Sequence, residues 1–134
     1  MASALYPSFK EALLSQNPSI DLDADTIKAA LIDTGTYTYS SAHNFFDDVS
    51  GVVGTAQTLG SKTVTGGVFD AADSTFTSVT GATVEAIIIY KDTGAAGTSP
   101  LIAYIDTGTG FPVTPNGGNI VVAWDSGANK IFAL

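Results

Sequence analysis

The chain has 134 residues, 45% of them hydrophobic and 13% charged, and 5 Lys+Arg against 13 Asp+Glu give it a formal net charge of −8. Its length fits one domain, since domains usually span roughly 100–150 residues, and the absence of Cys excludes disulfides, thiol catalysis and cysteine-ligated metals. The basic residues are scattered lysines, so we exclude nucleic-acid binding and polybasic attachment to lipid, which both need clustered positive charge.

The N-terminal region predicts one short helix. Ser8 and Glu11 have the spacing of a capping box, and Phe9 and Ala12 lie on one helical face. Pro18 should end the helix, because proline lacks an amide hydrogen and disfavours helical geometry at the residue before it. We therefore treat residues 1–20 as an N-terminal segment that carries this helix.

From residue 25 onward the pattern is typical of β-strands. Runs rich in β-branched and aromatic residues are separated by turns that contain glycine. The predicted strands cover residues 26–32, 36–39, 52–59, 62–65, 68–72, 74–79, 84–91, 101–105, 119–124 and 130–132, and residues 42–48 predict one helical turn. We predict an all-β fold for residues 1–134, a single antiparallel, jelly-roll-like β-sandwich domain with one short N-terminal helix.

Two predicted strands are apolar on both faces. They are residues 84–91 and 120–124, and this pattern is typical of central strands that are covered on both sides. The longest aliphatic run, residues 86–89, is far shorter than the about 20 residues that a membrane span needs. No basic segment followed by an apolar run opens the chain, so we expect no secretory signal and synthesis in a cytoplasm.

The tripeptide Asp-Thr-Gly occurs three times, beginning at Asp33, Asp92 and Asp106. Aspartic proteases place it after an apolar strand so that two carboxylates share one proton, and the segments that end at Asp33 and Asp106 imitate this context. Asp and Gly after a strand are also ordinary turn residues, and the copies at Asp92 and Asp106 bracket a predicted hairpin through Pro100. We favour turns and keep a protease as the least favoured hypothesis.

A second acidic motif has the 1,3,5 spacing of a calcium loop, at Asp21, Asp23 and Asp25. Thr26 and Ile32 replace the Gly and Glu of an EF-hand, which excludes that motif and leaves a looser Ca²⁺ site open. We include no metal or cofactor in the prediction.

The remaining polar and aromatic residues also carry no catalytic pattern. His43 stands apart from any nucleophile motif and is predicted to be structural. Tyrosines and Trp124 at alternating positions are predicted to fill the core. We predict no catalytic residue, and these residues favour a binding or structural protein over an enzyme.

Four segments together resemble a family of small virion-associated proteins of tailed bacteriophages and prophages. They read MASALYPSFKEALL (residues 1–14), KTVTGGVFDAAD (62–73), PVTPNGG (112–118) and WDSGANKIF (124–132), so that the resemblance runs nearly end to end. The resemblance implies a capsid cement, or decoration, protein that is made in the host bacterial cytoplasm and bound as a dimer or trimer to the outer surface of the head. Its partner would be the major capsid protein, and a tail, head-fibre or adaptor component is the alternative.

Both termini are apolar enough to contact such a shell. The interface candidates are Ala4, Leu5, Tyr6, Pro7, Phe9, Ile131, Phe132 and Leu134. The competing interpretation is that Phe9 and Phe132 complete the domain's own core. Attachment through apolar termini should tolerate salt, and the acidic surface should keep the protein soluble and away from DNA.

Overall fold

The fold is built on a five-stranded antiparallel sheet, accompanied by two two-stranded ribbons and one helix. The computed structural model describes residues 4–106, 111–124 and 131–133. Its strands are β1 (Ala4–Leu5), β2 (Ile27–Ile32), β3 (Val52–Thr58), β4 (Val68–Phe69), β5 (Ser74–Phe76), β6 (Ala86–Lys91), β7 (Leu101–Ile105), β8 (Ile120–Val122) and β9 (Phe132–Ala133), and its helix is α1 (Pro7–Ser15). The predicted all-β antiparallel fold with one short N-terminal helix is confirmed.

Strand β6 lies at the centre of the main sheet, whose order is β1-β7-β6-β2-β3. Both neighbours, β2 and β7, are antiparallel to it, so they run in the same direction as each other. Every side chain from Ala86 to Tyr90 is buried, which confirms a central strand in the segment 84–91. The ends of β2 and β7 and the beginning of β6 consequently lie at one end of the sheet.

Aromatic side chains of the connection between β2 and β3 cover one face of this sheet. Tyr39 contacts Tyr104 of β7, with ring centroids 5.3 Å apart, and Phe46 stacks on Tyr90 of β6 at 4.0 Å. The predicted strand 36–39 is therefore wrong, because this alternating segment lies across the sheet face and its backbone has no partner strand. The predicted helical turn within residues 42–48 is present as a 3₁₀ turn, Phe46–Asp48.

The ribbons β4–β9 and β5–β8 add further residues to the same core. Phe69 and Phe76 are the buried aromatic residues of these ribbons. The prediction that residues 120–124 form a central strand is wrong, because β5 is the only partner of β8 among the described strands and Val121 is 61% exposed. A two-stranded ribbon that packs on the core buries alternate residues and leaves the others in solvent.

Helix α1 begins differently from the predicted capping box. Tyr6 is the N-cap residue, with no side-chain cap, and Pro7 occupies the first turn, where its fixed φ suits a helix and its missing amide hydrogen costs nothing. Ser8 therefore lies inside the helix, and its hydroxyl donates to the carbonyl of His43 at 3.3 Å. The helix ends at Ser15, before Pro18, as expected.

Two of the predicted interface residues, Tyr6 and Phe9, belong to the domain's own core. Tyr6 and Phe9 are fully buried. The Phe9 ring meets Phe132 edge to face at 5.8 Å, and Phe132 lies 5.4 Å from Phe69. Strand pairing ties both ends in place, since β1 extends the main sheet beside β7 and β9 pairs with β4.

The other interface candidates are only partly available. Ala4, Leu5, Ile131 and Phe132 are half-buried, and Pro7 is exposed. Leu134 lies outside the described residues. Within the described ranges, no helix has the length and hydropathy needed to cross a membrane.

Strand β3 ends the sheet with an irregular edge. Between the pairs Ala29/Gln57 and Leu31/Val53, β2 advances by two residues while β3 advances by four, which is a bulge in β3. Gly54 lies in this bulge with φ +72°, a conformation that glycine adopts without strain.

Substitution of Phe9 tests its place in the core. We expect Phe9→Ala to lower the free energy of unfolding by about 3–5 kcal/mol, the usual cost of removing a buried phenylalanine ring. Leu14→Ala on the same helix is the control, since Leu14 is 90% exposed and surface substitutions usually stay within about 0.5 kcal/mol. Urea unfolding of the isolated protein measures both, and equal stabilities would contradict the burial of Phe9.

Candidate functional site

Three acidic residues lie at the end of the sheet where β2 and β7 finish and β6 begins. Asp33 follows β2 directly, Asp106 follows β7, and Glu85 precedes β6. The amide of Glu85 donates to the carbonyl of Ile32 at 2.9 Å, which fixes its backbone beside Asp33. The strand order, and not proximity along the chain, brings these residues together.

A pocket of about 330 Å³ opens beside these carboxylates. We call it the tyrosine–carboxylate pocket, and its lining residues are Thr34, Tyr37, Thr38, Tyr39, Glu85, Tyr104 and Asp106. Its volume is at the lower end of the range for small-ligand sites, which is roughly 300–1,000 Å³. The lining combines aromatic rings with acidic and hydroxyl groups.

A buried chain of hydrogen bonds supports one wall of the pocket. The Tyr37 hydroxyl lies 2.8 Å from the Tyr6 hydroxyl and 2.7 Å from Nδ1 of His43. When Tyr6 donates to Tyr37 and Tyr37 donates to neutral His43, every hydroxyl proton in the chain has an acceptor. His43 thus lies in a structural hydrogen-bond chain, where it holds the Tyr37 side chain in place.

The tyrosines of this region are held in their neutral form. Burial raises the pKa of Tyr6 strongly, and its hydrogen bond to Tyr37 adds to the effect. Burial also raises the pKa of Tyr37, against the opposing effect of the bond from Tyr6. Their phenol groups therefore act as neutral hydrogen-bonding groups over the physiological pH range.

Tyr104 connects the aromatic wall with the carboxylates. Its ring contacts Tyr39 at 5.3 Å and Tyr37 at 6.1 Å, and only 3% of the residue is exposed. Burial raises the pKa of its phenol, and the negative charges of Asp106 and Glu85 raise it further. Tyr104 lines the pocket together with Glu85 and Asp106.

The Asp-Thr-Gly copies at Asp33 and Asp92 serve as turns. Asp33 accepts the Gly35 amide and the Thr36 hydroxyl, both at 2.9 Å, and these two bonds lower the pKa of its carboxyl. Asp92 accepts the Gly94 amide at 3.0 Å and pairs with Lys28 at 3.1 Å. The Thr-Gly part of the third copy lies outside the described residues.

Within one chain, Asp33 and Asp106 do not form a protease dyad. Asp33 and Asp106 follow strands that are separated by β6, which places their backbones about 10 Å apart at the usual strand spacing. Two carboxylates that share a proton lie about 3 Å apart, and one of them has a raised pKa. Asp33 instead has a lowered pKa and is held by its own turn.

Lysines surround the loop that contains Asp21, Asp23 and Asp25. The Asp25 carboxylate accepts the Asp21 amide at 2.8 Å and pairs with Lys91 at 3.0 Å. The Lys62 ammonium group donates to the Asp25 carbonyl. Among residues 4–106, 111–124 and 131–133, no group of three His, Asp or Glu side chains is arranged to hold a metal ion.

Sequence patterns identify several of these residues but do not show that they lie close together in space. The Asp-Thr-Gly motif marks Asp33 and Asp106, and strand alternation marks the tyrosines. Glu85 is marked only by its position near the beginning of a predicted strand. The grouping depends on β7, β6 and β2 being neighbours, which no motif indicates. No protein-family model matches the chain, and a comparison with curated proteins found no match.

The hydroxyl chain predicts a ranked effect of two substitutions. We expect Tyr37→Phe to cost about 1–3 kcal/mol of stability, because it leaves the buried Tyr6 hydroxyl without a partner. Tyr6→Phe should cost less, since Tyr37 keeps its bond to His43. The double variant should cost less than the sum of the two. Urea unfolding measures all three, and a Tyr37→Phe cost no larger than that of Tyr6→Phe would contradict the arrangement.

The buried tyrosines also predict loss of stability at high pH. Burial raises the pKa of Tyr90 to about 12 and raises that of Tyr6, Tyr37 and Tyr104. A raised pKa means that folding favours the neutral phenol, so this stability is complete below about pH 10 and is lost as the pH rises through the folded-state values.

The melting temperature, measured from pH 8 to 12, should therefore fall above pH 10, and Tyr90→Phe should make the fall less steep. Phenolate absorbance should appear together with unfolding. Ionisation of all the tyrosines near pH 10 in a protein that stays folded would contradict this prediction.

Proposed function

We propose that the chain is a structural protein of a tailed-phage virion, a cement protein that binds the assembled head shell and stabilises it. The resemblance of residues 1–14, 62–73, 112–118 and 124–132 to virion-associated proteins supports the setting. A protein that binds only the assembled state shifts the equilibrium toward assembly, as any ligand selective for one state does.

Two of the Asp-Thr-Gly carboxylates are engaged in turns, and this observation supports a structural role over a catalytic one. The Asp33 carboxylate accepts hydrogen bonds from the Gly35 amide and the Thr36 hydroxyl. The Asp92 carboxylate accepts one from the Gly94 amide and forms an ion pair with Lys28. Groups already engaged in this way hold loops in place and are not poised to exchange protons with a substrate. A domain whose loops are fixed on a buried sheet suits a part that joins neighbouring subunits.

The termini are less suited to be the shell anchors than their composition indicates. Tyr6 and Phe9 are fully buried, so a shell contact must use other surface. Among the residues that the structure describes, the exposed large apolar side chains are Leu14, Val52, Val64 and Val121. They lie on different elements, so each offers a small apolar contact and polar groups must supply the rest.

Binding to shells that lack this protein tests the proposal directly. Purified protein should cosediment with such heads of its own phage, should not bind free capsid subunits, and should raise the temperature at which the heads lose their DNA. Failure to bind the heads would overturn the proposal.

The number of bound copies separates the cement protein from its alternative. A cement protein should approach the major capsid protein in stoichiometry on a stained gel, whereas a tail, fibre or adaptor component should be present in few copies. Light scattering of the free protein should show a small homo-oligomer, as the resemblance implies.

A further inference from the structure

The chain contains one Asn-Gly pair, Asn116-Gly117, in the loop that leads into β8. In such a pair the backbone nitrogen of the glycine can attack the side-chain carbonyl carbon of the asparagine, because glycine has no Cβ to hinder the approach. Both residues are exposed. The pair therefore combines a reactive sequence with access to water.

Hydrogen bonds to the segment after β5 hold this pair in place. The Gly117 amide donates to the Val79 carbonyl at 2.8 Å, and the Val79 amide donates to the Gly118 carbonyl at 3.0 Å. Beside them, the Ser78 amide donates to Oδ1 of Asn119 at 3.1 Å. We call these three bonds the Val79–Gly117 contact, and the buried Val79 side chain anchors it to the core.

The Val79–Gly117 contact withholds the nucleophile. The attack requires the Gly117 amide to lose its proton and to turn its nitrogen toward Cγ of Asn116, whereas in the fold this amide donates to the Val79 carbonyl. A hydrogen-bonded backbone amide becomes free when its segment opens locally. The rate of attack should therefore follow the fraction of molecules in which the contact is open.

A second hydrogen bond favours the reaction once the contact opens. Oδ1 of Asn116 accepts the Gly118 amide at 2.9 Å. Negative charge develops on this oxygen during the attack, and a backbone N–H group directed at such an oxygen stabilises that charge. This bond joins residues that are close in the chain, so it does not depend on the Val79–Gly117 contact.

We propose that Asn116 is a latent deamidation site, which the Val79–Gly117 contact closes in the folded protein and which reacts when that contact opens. The Gly117 nitrogen forms a bond to Cγ of Asn116, and the side-chain amide leaves as ammonia together with the proton from Gly117. Water then hydrolyses the resulting succinimide ring at either of its carbonyl carbons, which gives aspartate or isoaspartate. Isoaspartate lengthens the main chain by one carbon, so the Gly117 amide no longer meets Val79 in the native geometry and the opening becomes permanent.

Mass spectrometry of the full chain measures the reaction. Native protein, protein unfolded in guanidinium chloride and a synthetic peptide of residues 112–121 are held in the same mildly alkaline buffer and digested at intervals. Asn116 should convert at least about tenfold more slowly in native protein than in the two open forms, because the contact is closed for most of the time. Equal rates in all three, or conversion of other asparagines ahead of Asn116, would overturn the proposal.

Two matched substitutions test whether the contact controls the rate. Asn119→Ala removes the acceptor of the Ser78 amide and leaves the Asn116-Gly117 pair unchanged. It should speed conversion of Asn116 in native protein about two- to tenfold, the factor that corresponds to one hydrogen bond, and should leave the rate in unfolded protein unchanged. Asn44→Ala makes the same change at an exposed residue of another loop and should alter neither rate. Equal native rates in the two variants would overturn the proposal.

Amide hydrogen exchange provides a measurement that needs no variant. The opening that frees the Gly117 nitrogen also exposes its hydrogen to solvent, so exchange of this amide in native protein should be slowed by about the same factor as deamidation. Unprotected exchange of the Gly117 amide, in protein whose Asn116 reacts slowly, would overturn the proposal. The result does not bear on the cement function, since no phage particle takes part in these measurements.

Discussion

Strand β6 buries both rows of its side chains, so both faces of the main sheet must be covered by the rest of this short chain. Complete burial of one Ile side chain contributes roughly 1.5–3 kcal/mol, and Ile87, Ile88 and Ile89 are consecutive and fully or almost fully buried. No single neighbouring element can cover them, because successive residues of a strand point in opposite directions. The aromatic connection after β2 covers one face, and the helix and the two ribbons supply further core residues.

The polar chemistry of the molecule follows from the way the first face is covered. A loop that packs tyrosines onto a sheet brings their hydroxyls into the interior, where each needs a partner. Tyr6, Tyr37 and His43 satisfy one another. Tyr104 contacts the aromatic cluster and also lines the pocket beside Glu85 and Asp106.

Local sequence patterns predicted the elements that depend on local chemistry. The strand 101–105 matches β7, residues 84–91 contain the central β6, and turn chemistry at Asp33 and Asp92 is confirmed. The hairpin through Pro100 is likewise present as the β6–β7 pair. In these segments side-chain alternation and turn residues are sufficient to determine the backbone.

The errors arise where tertiary packing decides the structure. Residues 36–39 alternate like a strand, but their tyrosines pack across a sheet face. Val121 belongs to an apolar run whose strand has one neighbour within the described part of the chain. The pocket could not be predicted, because its lining comes from the loop after β2, the start of β6 and the end of β7. Grouping them requires the strand order, which short antiparallel strands leave undetermined.

The bulge in β3 has a consequence for molecules held close together in many copies. A sheet that ends in a straight strand presents a regular row of amides and carbonyls to which the next molecule can add a strand. Two extra residues around Gly54 interrupt the spacing of that row, so a second chain cannot follow it for more than a few residues. At the other edge, the described part of β1 is only two residues long. Neighbouring copies can therefore be crowded on a surface without their sheets merging into a fibril.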